Sequence, residues 1–240
     1  MSVLAAALYA KIYISNLAEV DVFYPSRQAL GDQLATKLSQ YKDTDTIIFC
    51  LKKSSLLSCI ELAAHLHAYI YVLQYAEVPD PFDITRSLGA VTEKGEFVVN
   101  PDISRGEYEY IASDFMSIIE ERKREAFSEI NGERNPNPTF DLAAFNNRNV
   151  LLFADILQTS FQIQVALNIL KAYSPAIITG AVGNISSQVS DKFLIDTDGC
   201  TYMDILQNNF FDDSHYFDQP DNYTEDDKIN MANNISLYWA

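Results

Sequence analysis

The chain has little glycine, 8 residues in 240, and no Walker-type phosphate loop can be assigned to it. It is also short of base. Seventeen lysines and arginines face 33 aspartates and glutamates, a net charge of −16. That balance disfavours a nucleic-acid backbone or an anionic membrane as partner, because both need a positive surface. Cysteine is scarce too. Cys50, Cys59 and Cys200 are odd in number and match no metal-ligand spacing. They read as buried thiols in a reducing cytosol, so the expected location is cytoplasmic. No run approaches the roughly 18 apolar residues of a membrane span. The opening MSVLAAALYAKIYISNL lacks the positive start of a signal peptide, and Lys11 breaks its apolar run. Residues 1–26 are read as an ordered arm, with a period-two part at Ile12 to Ser15.

What is present is an alternation of buried strands and helices. Leu30, Leu34 and Leu38 form one face of a helix within 27–41. TIIFCL (46–51) is apolar and β-rich, as a buried parallel strand should be. A helix over 54–68 opens with Ser54 and Ser55 as candidate caps, and YIYVLQY (69–75) reads as the next strand. This is a right-handed βαβ unit. Residues 76–89 read as a long loop, and 90–100 as a hairpin around Lys94-Gly95. A long helix over about 107–127 follows, with Ile111, Phe115, Ile118 and Ile119 on one face and a solvated EERKRE on the other. After the breaker-rich 131–140 come a strand at 149–154, a turn, a helix over about 158–172, a strand at 175–183 and a short strand at 191–198.

The pattern predicts an α/β fold with a mostly parallel central sheet and helices on both faces. The α/β domain is placed at 27–203, after the arm. An acidic extension, 204–240, is rich in aromatics (Phe210, Phe211, Tyr216, Phe217, Tyr223, Trp239) and is expected to pack on the domain or a partner subunit. Ligands of such sheets sit beyond the carboxyl ends of the strands, which marks the turns at Lys52–Ser55, at Asp155–Gln162 and after Val182. His65 and His67 are two apart and cannot share a metal on a helix. Asp212 and Asp213, with His215 nearby, form an acidic cluster in a tail that is acidic throughout, and no metal site is assigned.

Element order, SLGAV (87–91), VVN (98–100), the basic end of the long helix and NVLLFADILQTSFQ (149–162) carry a resemblance. From about Arg27 to Asp227 the chain resembles type I phosphoribosyltransferases, in particular a bacterial branch of predicted phosphoribosyltransferases. The family's signature has four apolar residues, two acids, two apolar residues and a small, threonine- and glycine-rich turn. Here Val150 to Phe153 match the apolar run, Ala154 stands for the first acid and Asp155 for the second. Gln158, Thr159, Ser160, Phe161 and Gln162 occupy the phosphate turn. The resemblance implies Asp155, Gln158, Thr159, Ser160 and Gln162 as candidates to hold the ribose and 5′-phosphate of phosphoribosyl pyrophosphate (PRPP). It likewise implies Lys52, Lys53, Ser54 and Ser55 as candidates for the pyrophosphate, where the family has Pro-Arg-Gly-Gly. A phosphate cradle needs close backbone approach, which glycine supplies, and one acid clamps a diol less well than two.

The expectation is therefore a phosphoribosyltransferase-like protein with a degenerate PRPP motif, catalytically impaired and acting as a binding, regulatory or assembly module, with a homodimer as the expected assembly. One alternative is an active transferase moving ribose 5-phosphate to a base-like acceptor, with Mg²⁺ accompanying the PRPP. Another is a binder of a different nucleotide or small phosphate ligand. No catalytic residue is assigned. Asp155 could instead cap the helix that follows, and Phe161 is expected to crowd the phosphate position.

Overall fold

The structure, a computed structural model, describes residues 23–207 and 212–238. Strands buried on both faces read as unbroken apolar runs, and β1 (Thr46–Cys50) is buried at every position. It lies between β2 (Tyr69–Val72) and β6 (Asn149–Leu157), both parallel to it. β7 (Ile177–Ile185) and β8 (Cys200–Ile205) continue the sheet, also parallel, in the order β2-β1-β6-β7-β8. Side chains alternate between two cores. Ile48, Cys50, Leu151 and Phe153 face α1 (Arg27–Lys37), α2 (Leu56–Leu66) and α6 (Glu225–Tyr238). Ile47, Phe49, Val150 and Leu152 face α4 (Phe161–Leu170) and α5 (Ser187–Asp196). Each face is an alternation of period two, and each is covered by helices.

The α/β architecture is the expected one, and Leu30, Leu34 and Leu38 are fully buried. The Ser26 hydroxyl accepts from the Ala29 N–H at 3.2 Å and caps α1. Gly31 sets how closely α1 and α2 pack, since a Cβ there would lie 2.6 Å from the Ser58 carbonyl oxygen.

Several boundaries depart from the sequence reading. Residues 76–89 are not one loop. β3 (Tyr75–Pro79) pairs antiparallel with β4 (Ser87–Thr92), which pairs with β5 (Phe97–Val99) in a separate three-stranded sheet. The signal was period two: Ala76 and Val78 are buried and Glu77 is exposed. Tyr75 thus belongs to β3, and β2 ends at Val72. The hairpin around Lys94-Gly95 is present, with Gly95 at φ 77°. The long helix, α3 (Arg105–Gly132), runs past both expected ends and kinks at Phe115. Ile111 and Ile119 are buried in it, whereas Ile118 is exposed. Its basic residues are not wholly solvated: Arg122 donates to the Pro79 carbonyl at 2.9 Å, and the Lys123 ammonium lies 4.2 Å from the Phe97 ring centre. The strand expected at 191–198 is the second half of α5. Val189 and Phe193, four apart, are buried, while Leu194 and Ile195 are exposed.

The strand-like arm at Ile12 to Ser15, and Phe210, Phe211 and Trp239, lie outside the described residues. Phe23 to Ser26 run beside the tail, where the Tyr24 N–H donates to the Tyr216 carbonyl and Tyr24 pairs in parallel with Phe217. The described tail packs on its own chain, with Tyr216 buried against Ile156 and Leu206, and Ile229 and Ala232 in the core beside α2. No disulfide forms among the described cysteines. Burial pushes the Cys200 thiol up to about 12, and the Cys59 thiol also well above its ordinary value. Among the described residues no helix is long and apolar enough to cross a membrane.

Candidate functional site

At the carboxyl ends of β1 and β6 the two candidate turns meet in a cleft of ≈ 370 Å³. Leu157, Gln158, Thr159 and Gln162 line one side and Lys52 and Ser54 the other. Arg27 of α1 and Asp212 and Asp213 of the tail complete it.

Asp155 does not cap α4. It is an interior residue of β6, fully buried, and its carboxylate is already used. Arg27 forms an ion pair with Oδ2, while the Ser55 hydroxyl donates to Oδ1. Oδ1 also accepts the Ile156 N–H at 2.9 Å, and Ser55 Oγ accepts the Asp155 N–H at 3.1 Å. Gly183, beside Asp155 on β7, keeps this arrangement compact: a Cβ would lie 2.2 Å from the Asp155 carbonyl oxygen. Ser55 is the residue before α2 but makes no side-chain cap bond, because its hydroxyl is engaged with Asp155.

The phosphate turn is arranged differently from its sequence reading. Phe161 is buried in the core, edge-on to Tyr75 with ring centres 6.3 Å apart, rather than lying in the cleft. The aromatic ring fills a hole under the turn, which the sequence pattern could not indicate. The Thr159 hydroxyl donates to Gln162 Oε1 at 3.0 Å, and Gln162 Nε2 donates to the Tyr75 hydroxyl at 3.2 Å. Burial pushes the Tyr75 hydroxyl up, with the Gln162 bond opposing. Ser160 precedes α4 and makes no side-chain cap bond.

The lysines diverge. Lys52 donates to the Ile156 carbonyl at 3.2 Å and pairs with Asp213. Lys53 turns from the cleft to Glu133 and to Glu225, the latter at 3.1 Å. Burial opposes its charge, and the hydrogen bonds it donates to Glu133 and Glu225 outweigh this, so its pKa stands above the ordinary lysine value. Arg27 is the member that sequence reading missed. Burial pulls its pKa down, while Asp221, Asp213 and Asp212 push it back up. One signal existed: a cation in the first turn of a helix opposes the dipole and calls for an acidic partner.

Asp212 accepts the Ser214 N–H at 2.9 Å and Asp213 faces Lys52, so this acidic pair is engaged within the protein. Among the described residues, a mixed group of three possible metal ligands is formed by Asp32, Glu61 and His65, with ligand atoms within 4.8 Å of one another. It sits at the far end of α2 from the cleft, and His65 there bonds Asp32 at 2.5 Å. His67 turns instead to Asp43.

No family model matches the sequence. Among solved structures, the chain is similar to TT1426 from Thermus thermophilus, with a TM-score of 0.69 and 21% identity over 91% of this chain and 100% of that one. Hypoxanthine-guanine phosphoribosyl transferase from L. donovani aligns with a TM-score of 0.44 at 14% identity, over 84% of this chain and 95% of that one. A hypoxanthine phosphoribosyltransferase from Staphylococcus aureus aligns at 0.43 and 13%, over 82% and 83%. The likeness to TT1426 is one of fold, an α/β fold with a parallel central sheet as the element order predicts.

Proposed function

We propose that this phosphoribosyltransferase-like protein does not transfer ribose phosphate and serves as a binding module, its cleft taking a small phosphate-bearing ligand. The observation that carries the reading is the state of Asp155. A ribose clamp must offer free carboxylate oxygens to the ligand's hydroxyls, and here both oxygens are held by Arg27, Ser55 and the Ile156 N–H below the cleft. Releasing them would leave a buried cation unpaired, at a cost of about 3–5 kcal/mol. The position of the first acid is Ala154, fully buried, which supplies nothing in its place. Gln158, Thr159, Gln162, Lys52 and Ser54 still present polar groups to the cleft, which supports binding without the ribose clamp.

Two assays test this on the full chain: calorimetry with PRPP and Mg²⁺, and a pyrophosphate-release assay with a panel of purine and pyrimidine bases. The expected result is no pyrophosphate release with any base and no heat from PRPP at micromolar concentration. Turnover of PRPP, or micromolar binding weakened by both Asp155→Asn and Thr159→Ala, overturns the reading in favour of a working transferase.

A further inference from the structure

Lys52 and Arg27 in the cleft, and Lys53 beside it, each meet a carboxylate of the tail, besides the Asp155 partner of Arg27 and the Glu133 partner of Lys53. Asp213 pairs with Lys52, Glu225 with Lys53 at 3.1 Å, and Asp221 approaches the Arg27 guanidinium at 4.0 Å. These acids come from one stretch, and they meet Arg27 of α1 and the turn between β1 and α2. Lys52 and Asp213 are 161 residues apart in sequence, so no local preference brings them together.

The tail is fastened on both sides of most of these acids rather than by them. Tyr216 is buried on Ile156 and Leu206, the Asp218 N–H donates to the Tyr24 carbonyl, and Ile229 and Ala232 enter the core. Between the fastenings, residues 218–227 are exposed. Asp221 and Glu225 lie in this exposed stretch and can swing away while the strap stays attached; Asp213 precedes it, and only its side chain has to leave Lys52. The side chains of Lys52 and Asp213 keep some exposure, 24% and 15%, and Glu225 is 59% exposed. Ion pairs with such access to solvent contribute little to stability and exchange readily for another anion.

From this we infer that the tail is an internal counter-anion for the cleft: Asp213 stands where a diphosphate-class ligand would place an oxygen, Glu225 helps to hold Lys53 beside the cleft, and such a ligand binds by displacing Asp213 from Lys52 and drawing Lys53 from Glu225. The inference rests on the reading of the cleft as a phosphate-binding module and adds its regulation. Affinity is set by a competition within one chain, and anything that draws the tail away opens the site. By linkage, ligand binding loosens the tail's contacts by the same factor.

The test is calorimetry of the full chain with inorganic pyrophosphate at low ionic strength. The Asp213→Asn/Glu225→Gln variant is expected to bind about tenfold more tightly than the wild type, the size of two partly exposed ion pairs. Adding Lys52→Ala is expected to remove the gain. A charge-matched control on the outer face of α3, Glu109→Gln/Asp114→Asn, is expected to leave affinity unchanged. Asp213→Asn alone, which disturbs the tail least, gives a smaller gain in the same direction. Equal affinity in variant and wild type, absence of binding in the variant, a gain that survives Lys52→Ala, or an equal gain in the control each overturns the inference. These outcomes are separate from transferase activity. PRPP turnover by the wild type would sink the binding-module reading, whereas tail-independent pyrophosphate binding would sink this one alone.

Discussion

The floor and the rim of the cleft hold similar charges in different surroundings. On the floor, Arg27, Asp155 and Ser55 are buried, and the carboxylate is hydrogen-bonded at Oδ1 and ion-paired with Arg27 at Oδ2. On the rim, Lys52 and Lys53 meet Asp213, Glu133 and Glu225 at the edge of solvent. Burial decides which group of charges is structural and which is exchangeable. An unpaired charge on the floor has no water to turn to, while one on the rim does.

The contrast breaks most visibly at Asp155. Asp155→Ala should cost about 3–5 kcal/mol in urea unfolding, because it strands the Arg27 guanidinium. Replacing both partners, as Arg27→Met/Asp155→Leu, should recover much of that loss; a single variant within about 1 kcal/mol of wild type would deny the floor its structural role. Gly183→Ala should come next, at about 1–3 kcal/mol or more, since the new methyl meets backbone at 2.2 Å and backbone cannot step aside cheaply. Ser55→Ala removes one donor and one acceptor from Asp155 and should cost about 1–3 kcal/mol by the same measurement.

The rim should behave otherwise. Asp213→Asn should change stability by no more than about 1 kcal/mol, with the difference fading as salt rises. A large, salt-independent loss would make the rim resemble the floor.

A last and smallest effect concerns Glu61, remote from both. Burial raises its pKa, the nearby Asp32 adds to this, and His65 opposes it. A carboxyl whose pKa is raised by folding contributes stability that is fully present below the unfolded value and is lost as pH rises through the folded one. Stability measured from about pH 4 upward should therefore carry a shallow downward component, and Glu61→Gln should flatten it. An unchanged pH profile in that variant would remove Glu61 as the source.

Much of the architecture was legible because it is written in local periodicity. The apolar runs of β1, β6 and β7 and the Leu30, Leu34, Leu38 spacing of α1 required nothing beyond neighbours in the chain. The errors fell where two patterns compete over a short length. β3 carries two prolines and two aspartates at or just past its end, and these hid its alternation. In α5, the apolar run Phe193-Leu194-Ile195 looked strand-like, while the Val189 and Phe193 pair carried the burial. The candidate site was half legible. Lys52, Ser54, Gln158, Thr159 and Gln162 do share a cleft, as motif positions suggested. Arg27 and the tail acids were not readable, because a charge has no preferred partner in a linear string.

By itself, then, the sequence determined the central strands β1, β6 and β7, the helices α1, α2 and α4 and the glycine-poor turns at the strand ends, since these follow from spacing, backbone preference and hydrophobicity. Tertiary structure alone decided that Asp155 answers Arg27 rather than the solvent, that Phe161 lies under its turn rather than in the cleft, and that Asp213 meets Lys52. The reason is physical. Burial and the pairing of charges across 100 residues or more depend on where whole elements pack, and no local rule contains that information.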